Sequence, residues 1–241
     1  MQMRVLITRA EPAASRTAAL IEKSGHEAVK LPLFEVQDTK IEIPKGNFSG
    51  YIFTSGNAIS ILEKRGWKPE NPDAPVFCVG EKTAQSAKKL GFSKISYAQG
   101  GASKLMPQII ETNLVSPKNI LYFTTPDRSF DVSGYLAHYE IDVKNLDIYQ
   151  ALEVKGLGNN LNSIFAKSPP EFILCYSKRS GDVLARMLKA QNLENKLSNS
   201  HLITISDQAI GELETFFWNE TSVPPVANEQ AMLHILNSKA V

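Results

Sequence analysis

The chain has 241 residues, 43% of them hydrophobic, with 26 basic and 25 acidic side chains and a formal net charge of +1. That size suits one large domain or two small ones around a buried core. The balanced charge offers no basic footprint for nucleic acid and no acidic disordered tail, and no stretch approaches the ~20 apolar residues of a membrane span.

The opening "MQMRVLITRAEP" has too short an apolar run for a signal peptide, so a cytoplasmic protein is expected. The first strand is "RVLIT" (4–8). A helix follows from Pro12, with Ala14, Thr17, Ala18 and Ile21 as its buried stripe and Gly25 as its stop. "EAVKLPLF" is the next strand. "YIFTS" then leads into a helix through Leu62, and "VFCVG" into one over Thr83–Leu90. "SKISYA" precedes a helix over Lys104–Ile110. "NILYFTT" precedes one over Val132–Tyr139, and "IDVKNLDIY" follows as a strand that ends on Tyr149. "EFILCYS", "HLITIS" and "SVPPV" are strands, followed by helices over Asp182–Leu188, Ala209–Phe217 and Glu229–Leu236. Strands and helices in this alternation predict parallel sheets covered on both faces. Cys78 and Cys175 lie inside apolar strands and are expected as buried core thiols, not a disulfide.

The order repeats. "RVLITRAEP" resembles "ILYFTTPDR", and "YIFTSGNAISIL" resembles "FILCYSKRSGDVL". "VFCVGEKTAQSA" likewise resembles "LITISDQAIGEL". The chain is thus two copies of a two-part order, with alternating extended connectors "EVQDTKIEIPKGNFSG" and "QALEVKGLGNNLNS" at equivalent points. Either each half folds by itself, or both connectors are crossovers that pair as a two-stranded ladder. Periodicity leaves the two arrangements open.

Ligands of open parallel sheets bind beyond the carboxyl ends of the strands, where helix starts present unpaired N–H groups. Six such segments carry small polar residues: "TRAEP", "TSGNA", "VGEKTA", "TTPDR", "YSKRSG" and "ISDQA". N-capping alone accounts for any single one. For the set, binding of carboxylates or phosphates is an equal reading. The "GLG" of Gly156–Gly158 has no third glycine and no strand before it, so a loop is expected there. The four histidines are scattered without metal-ligand spacing. Tyr149 has interface packing as its default role, although a phenol at such a place can also pass a proton.

The fragments "VLITRAEP", "LPLFEV", "FTSGNAI", "VGEKTAQSAKKLGF", "DIYQALEV" and "FILCYSKRSGDVL", in this order over nearly the whole chain, resemble the uroporphyrinogen-III synthase family. The resemblance implies an α/β fold of two doubly wound parallel-sheet (flavodoxin/Rossmann-like) domains joined by a two-stranded β-ladder linker. It implies a discontinuous domain of residues 1–36 plus 152–241, a second domain of residues 37–151, and linker strands at about 35–44 and 148–155. It also implies a lyase that closes hydroxymethylbilane to uroporphyrinogen III, inverting the last pyrrole with loss of water. The substrate is a small molecule, no cofactor or metal is expected, and neither nucleic acid nor membrane is a partner. A monomer is expected. Catalysis of this kind rests on folding a reactive polyanion into the right shape.

Carried over position by position, Tyr149 is the implied proton donor and Thr83 the second catalytic position. Arg9, Thr54, Ser55, Asn57, Gly80, Ser177 and Ser206 are implied substrate contacts. Arg9 meets a substrate carboxylate or pairs structurally with Glu11. The chain departs from the family at three places. Gly56 replaces a frequent proline. Ser206 and Gln208 replace part of a Gly-Pro-Thr-Thr stretch, and Ala209 lacks a hydroxyl. "FTTPDRSF" replaces an Arg-Gly segment, with Arg128 near enough to restore the charge. Two other classes fit the pattern less well. One is a non-catalytic two-lobed binding module for an anion or tetrapyrrole. The other is a SAM- or nucleotide-using transferase, against which Arg9 stands where its first turn needs glycine.

Overall fold

The computed structural model describes residues 2–128 and 130–239. In chain order its first elements are β1 (Arg4–Ile7), α1 (Ala13–Lys23), β2 (Glu27–Lys30), β3 (Phe34–Asp38), β4 (Gly50–Phe53) and α2 (Gly56–Lys64). There follow β5 (Val76–Val79), α3 (Glu81–Leu90), β6 (Ile95–Ala98), α4 (Met106–Glu111), β7 (Asn119–Thr124), α5 (Val132–Ala137), β8 (Asp142–Asp147) and β9 (Tyr149–Glu153). The last are α6 (Gly158–Lys167), β10 (Phe172–Cys175), α7 (Lys178–Ala190), β11 (His201–Thr204), β12 (Glu220–Ser222) and α8 (Glu229–Lys239). Short 3-10 helices occupy Ala102–Leu105, Glu194–Lys196 and Asp207–Thr215.

The chain divides into two compact units, one formed by the residues through Glu35 and from Leu152 onward, the other by Val36–Ala151. The first holds a five-stranded parallel sheet in the order β12-β11-β10-β1-β2. The second holds one in the order β6-β5-β4-β7-β8, also parallel. The orders correspond strand for strand, with β10 in the place of β4, β11 of β5, β12 of β6, β1 of β7 and β2 of β8. The repeat in the sequence is therefore a repeat of topology. β1 pairs with β10 on one side and β2 on the other, with Val5 opposite Phe172 and Ala28, so the N-terminal segment completes the sheet of the C-terminal half.

β1, β4, β10 and β11 are buried at every residue. Continuous apolar runs of this kind are what a sheet covered on both faces demands. In the second unit, side chains alternate between two clusters. Tyr51, Phe53 and Phe123 enter one, and Ile52, Tyr122 and Phe77 the other. Phe123 stacks on Phe53 with centroids 5.2 Å apart and meets the Trp67 ring edge-on at 5.4 Å.

β3 and β9 form a separate antiparallel two-stranded sheet. Val154 donates to the Leu33 carbonyl at one end, and Thr39 to the Ile148 carbonyl at the other. β3 stops at Asp38, because Lys40 takes a positive φ of 61° and Pro44 cannot donate to a ladder.

Several elements differ from the sequence expectation. Gly156 lies in the expected loop, but Gly158 already opens a helix over residues 158–167 that the sequence did not suggest, in which Leu161 and Phe165 lie one turn apart and are both buried. Its start is poor in helix formers, which hid it. Its last carbonyls are covered from below. Buried Arg4 donates to the Ile164 and Ser168 carbonyls, and its Nε faces Glu27 at 3.3 Å. The strand expected at "SVPPV" lies upstream at Glu220–Ser222, because Pro224 and Pro225 lack the N–H a ladder needs. Tyr149 opens β9 instead of closing β8. The helix expected at Ala209–Phe217 is 3-10 in character and is interrupted at Gly211 (φ 52°). This segment runs so close to α7 that a Cβ on Gly181 would sit 2.7 Å from the Ile210 carbonyl.

Gly56, the departure after "TS", is the first residue of α2, preceded by extended Ser55 (φ −151°, ψ 141°). A Cβ there would meet nothing within 4 Å. Proline suits a first helical position after an extended residue. Gly56→Pro is therefore expected to stabilise the protein by about 0.4–1 kcal/mol through the unfolded chain. A higher denaturant midpoint at unchanged slope checks it.

Candidate functional site

The carboxyl ends of β4, β5 and β7 lie side by side, with Phe53 opposite Cys78 on one flank and Phe123 on the other. One residue further along β4, Thr54 begins the polar turn into α2. Ser55 caps that helix, its Oγ accepting from the Asn57 N–H at 3.2 Å. The Ser55 side chain is also close enough to the Tyr149 phenol to favour its ionised form. Ser55 Oγ keeps its own hydrogen and a second lone pair after accepting from Asn57, so it can either donate to or accept from a neighbouring phenol. Tyr149 is 6% exposed, and burial, partly offset by Ser55, pushes its phenol above the ordinary tyrosine value. It stays protonated through the neutral range, as a donor must.

Gly80 caps α3 in a conformation (φ 78°, ψ 147°) that only glycine holds without strain, and so sets the angle at which α3 leaves the sheet. Thr83 lies in the first turn of α3 on its buried stripe with Ala84, Ala87 and Leu90. At the end of β7 and just beyond it, the Thr124 and Thr125 hydroxyls are buried without a hydrogen-bond partner among the described residues. Leaving such groups unmet costs about 1–3 kcal/mol each, which marks this edge as one a ligand can complete. Arg128, expected to restore a missing charge, is bound to Asp147 at 2.6 Å and to the Thr125 carbonyl at 3.1 Å.

The first unit has its own carboxyl edge. β1 pairs with β10 up to Ile7 and Leu174, and β10 with β11 up to Cys175 and Thr204. Arg9, Ser177 and Ser206 follow these ends. Ser177 caps α7, accepting from the Ser180 N–H at 3.2 Å. Ser206 precedes the 3-10 segment without a side-chain cap bond. Arg9 does not pair with Glu11. It binds Glu229 at 2.7 Å and lies over the Tyr176 ring at 4.2 Å, while Glu11 pairs with Lys30 at 3.0 Å. The reason is position, since the start of α8 brings Glu229 against α1, where Thr17 also donates to it. Burial raises the Tyr176 phenol to about 12.

The expected residues thus fall into two sets. Thr54, Ser55, Asn57, Gly80, Thr83 and Tyr149 share the edge of one unit, and Arg9, Ser177 and Ser206 that of the other. Tyr122 escaped the sequence reading because it sits inside an apolar strand. Glu229 escaped because nothing local ties it to Arg9. Among the described residues no group of three or more His, Cys, Asp or Glu side chains could hold a metal, and no helix is long and apolar enough to cross a membrane.

The family model for uroporphyrinogen-III synthase HemD matches residues 15–234. The chain belongs to the uroporphyrinogen-III synthase family. Solved structures of similar fold include a uroporphyrinogen-III synthetase from Helicobacter pylori. It is 18% identical, with TM-score 0.66, over 99% of this chain and 100% of that one. A mutant uroporphyrinogen III synthase from the extremely thermophilic bacterium Thermus thermophilus is 14% identical, with TM-score 0.57, over 99% of this chain and 98% of that one. No curated protein matches by sequence. At these identities the two structures speak for the fold of two parallel sheets and a two-stranded pair, while the family match carries the synthase assignment. Members of the uroporphyrinogen-III synthase family are cyclising lyases of porphyrin biosynthesis acting on a tetrapyrrole substrate.

Proposed function

We propose that this synthase closes hydroxymethylbilane to uroporphyrinogen III, with Tyr149 as the donor that starts the reaction. The observation that supports this is the place of Tyr149, buried beside the Ser55 cap at the strand ends of its unit, where burial keeps the phenol hydrogen in place through the neutral range. That hydrogen polarises the terminal hydroxyl of the bilane. The adjacent pyrrole nitrogen pushes the hydroxyl out as water, and an azafulvene forms. The azafulvene is electrophilic by itself, so no strong protein nucleophile is required. Attack at the substituted carbon of the last ring gives a spiro intermediate, whose fragmentation and reclosure invert that ring. The closing carbon then loses a proton, which balances the one given to the departing hydroxyl.

The protein's main task is to hold the chain in the shape that favours this attack. Thr54, Ser55, Asn57, Gly80 and Thr83 in one unit, with Ser177 and Ser206 in the other, are proposed as contacts for substrate carboxylates. Their support is the pair of helix starts at Ser55 and Gly80 and the cap at Ser177, where amides and hydroxyls gather. Arg9 already binds Glu229 through Nη1, so it meets a substrate carboxylate through its remaining N–H groups or in place of Glu229. The protein is proposed to act as a cytoplasmic monomer, which its two buried unpaired cysteines suit.

Purified protein and fresh hydroxymethylbilane are expected to give the type III isomer, resolved chromatographically from type I. Type I alone at every enzyme level would overturn the proposal. Tight binding of the bilane without turnover would favour a binding module instead.

A further inference from the structure

Tyr122 lies in β7 and is 2% exposed, surrounded by Ile52, Phe77, Leu105, Met106 and Ile109. Phenylalanine would fill that apolar space equally well. The phenol oxygen, however, is 2.9 Å from Thr54 Oγ1. A buried tyrosine hydroxyl needs a partner, and among the described residues Thr54 is the one it has. Either hydroxyl can donate in this bond, and the arrangement in which Tyr122 donates to Thr54 Oγ1 is the one that keeps the Thr54 hydrogen for a ligand. In that arrangement the Thr54 hydroxyl, accepting one bond, donates the next more strongly.

The arrangement mirrors the one at the neighbouring residue. Ser55 lies beside Tyr149, whose ring belongs to the opposite cluster with Tyr51, Phe53 and Phe123. Two phenols, one from each side of the sheet, thus stand beside two consecutive hydroxyls at the end of β4. The two tyrosines are near enough for Tyr122 to contribute to the raised value of Tyr149.

We propose that Tyr122 is a positioning residue of the synthase, orienting the Thr54 hydroxyl as a donor to the substrate. This role rests on the proposed function of the site. The test measures kcat and KM with hydroxymethylbilane for wild type, Tyr122→Phe, Thr54→Val and the double variant, with thermal melts of all four. Tyr122→Phe is expected to fold and to lose about 10-fold in kcat/KM. In the Thr54→Val background the same change is expected to cost less than about 2-fold, because its only target is gone. A purely structural tyrosine would cost the same in both backgrounds. An active wild type with equal losses, or with no loss in Tyr122→Phe, would overturn this role alone. An inactive wild type would overturn the function beneath it.

Discussion

Tyr149→Phe is expected to lower kcat about 10²-fold, the smaller end of what a positioned proton donor contributes. The ring stays in its cluster with Phe53 and Phe123, so the melting temperature should hold. What disappears is the phenol hydrogen, with the ring unchanged. The pH profile gives a second check. Burial raises the phenol, so the protonated form persists beyond the ordinary tyrosine value of about 10. The wild-type activity should show no loss attributable to this group between pH 6 and about 10. Stopped-flow or initial-rate measurement with fresh bilane decides it. An unchanged kcat would return Tyr149 to a packing role.

Phe123→Ala is expected to destabilise the protein by about 3–5 kcal/mol. Phe123 is fully buried, stacked on Phe53 and against Trp67. Against a typical total of about 5–15 kcal/mol, that is a large share. Trp67 sits in the same cluster, so with Trp218 replaced by phenylalanine its fluorescence during denaturant titration reports on this unit directly. A loss below about 1 kcal/mol would mean the cluster closes over the gap. Because Phe123 separates Tyr122 from Thr124, the variant is also expected to loosen the hydroxyls at the strand end.

Most of the fold class was legible in the sequence. "RVLIT", "YIFTS", "VFCVG" and "FILCYS" are short apolar runs with a helical stripe behind each, and such runs have few alternatives to central parallel strands. The repeat of fragments anticipated two sheets of equivalent strand order. Periodicity alone could not say which halves combine, because each strand end looks the same to a neighbour from either copy. The family resemblance supplied that choice. Helix α6 was hidden by weak local propensity and revealed only by packing of Leu161 and Phe165. At the site, the clustering of hydroxyls near strand ends was visible as composition. The bonds that give each hydroxyl a direction were not. Tyr122 to Thr54 and Arg9 to Glu229 join residues far apart in sequence, and no local pattern encodes them.

The place of β1 between β10 and β2 has a consequence for synthesis. Ribosomes deliver the chain from its amino end, and domains ordinarily fold in that order. Here the segment made first must wait. Residues 36–151 can close their sheet while the opening "RVLI", wholly apolar after its arginine, has only β2 beside it and still lacks β10 on its other side. For as long as roughly 170 residues take to emerge, about 10–30 s at ordinary elongation rates, that sticky stretch is exposed, and it is where a nascent-chain chaperone would be expected to hold on.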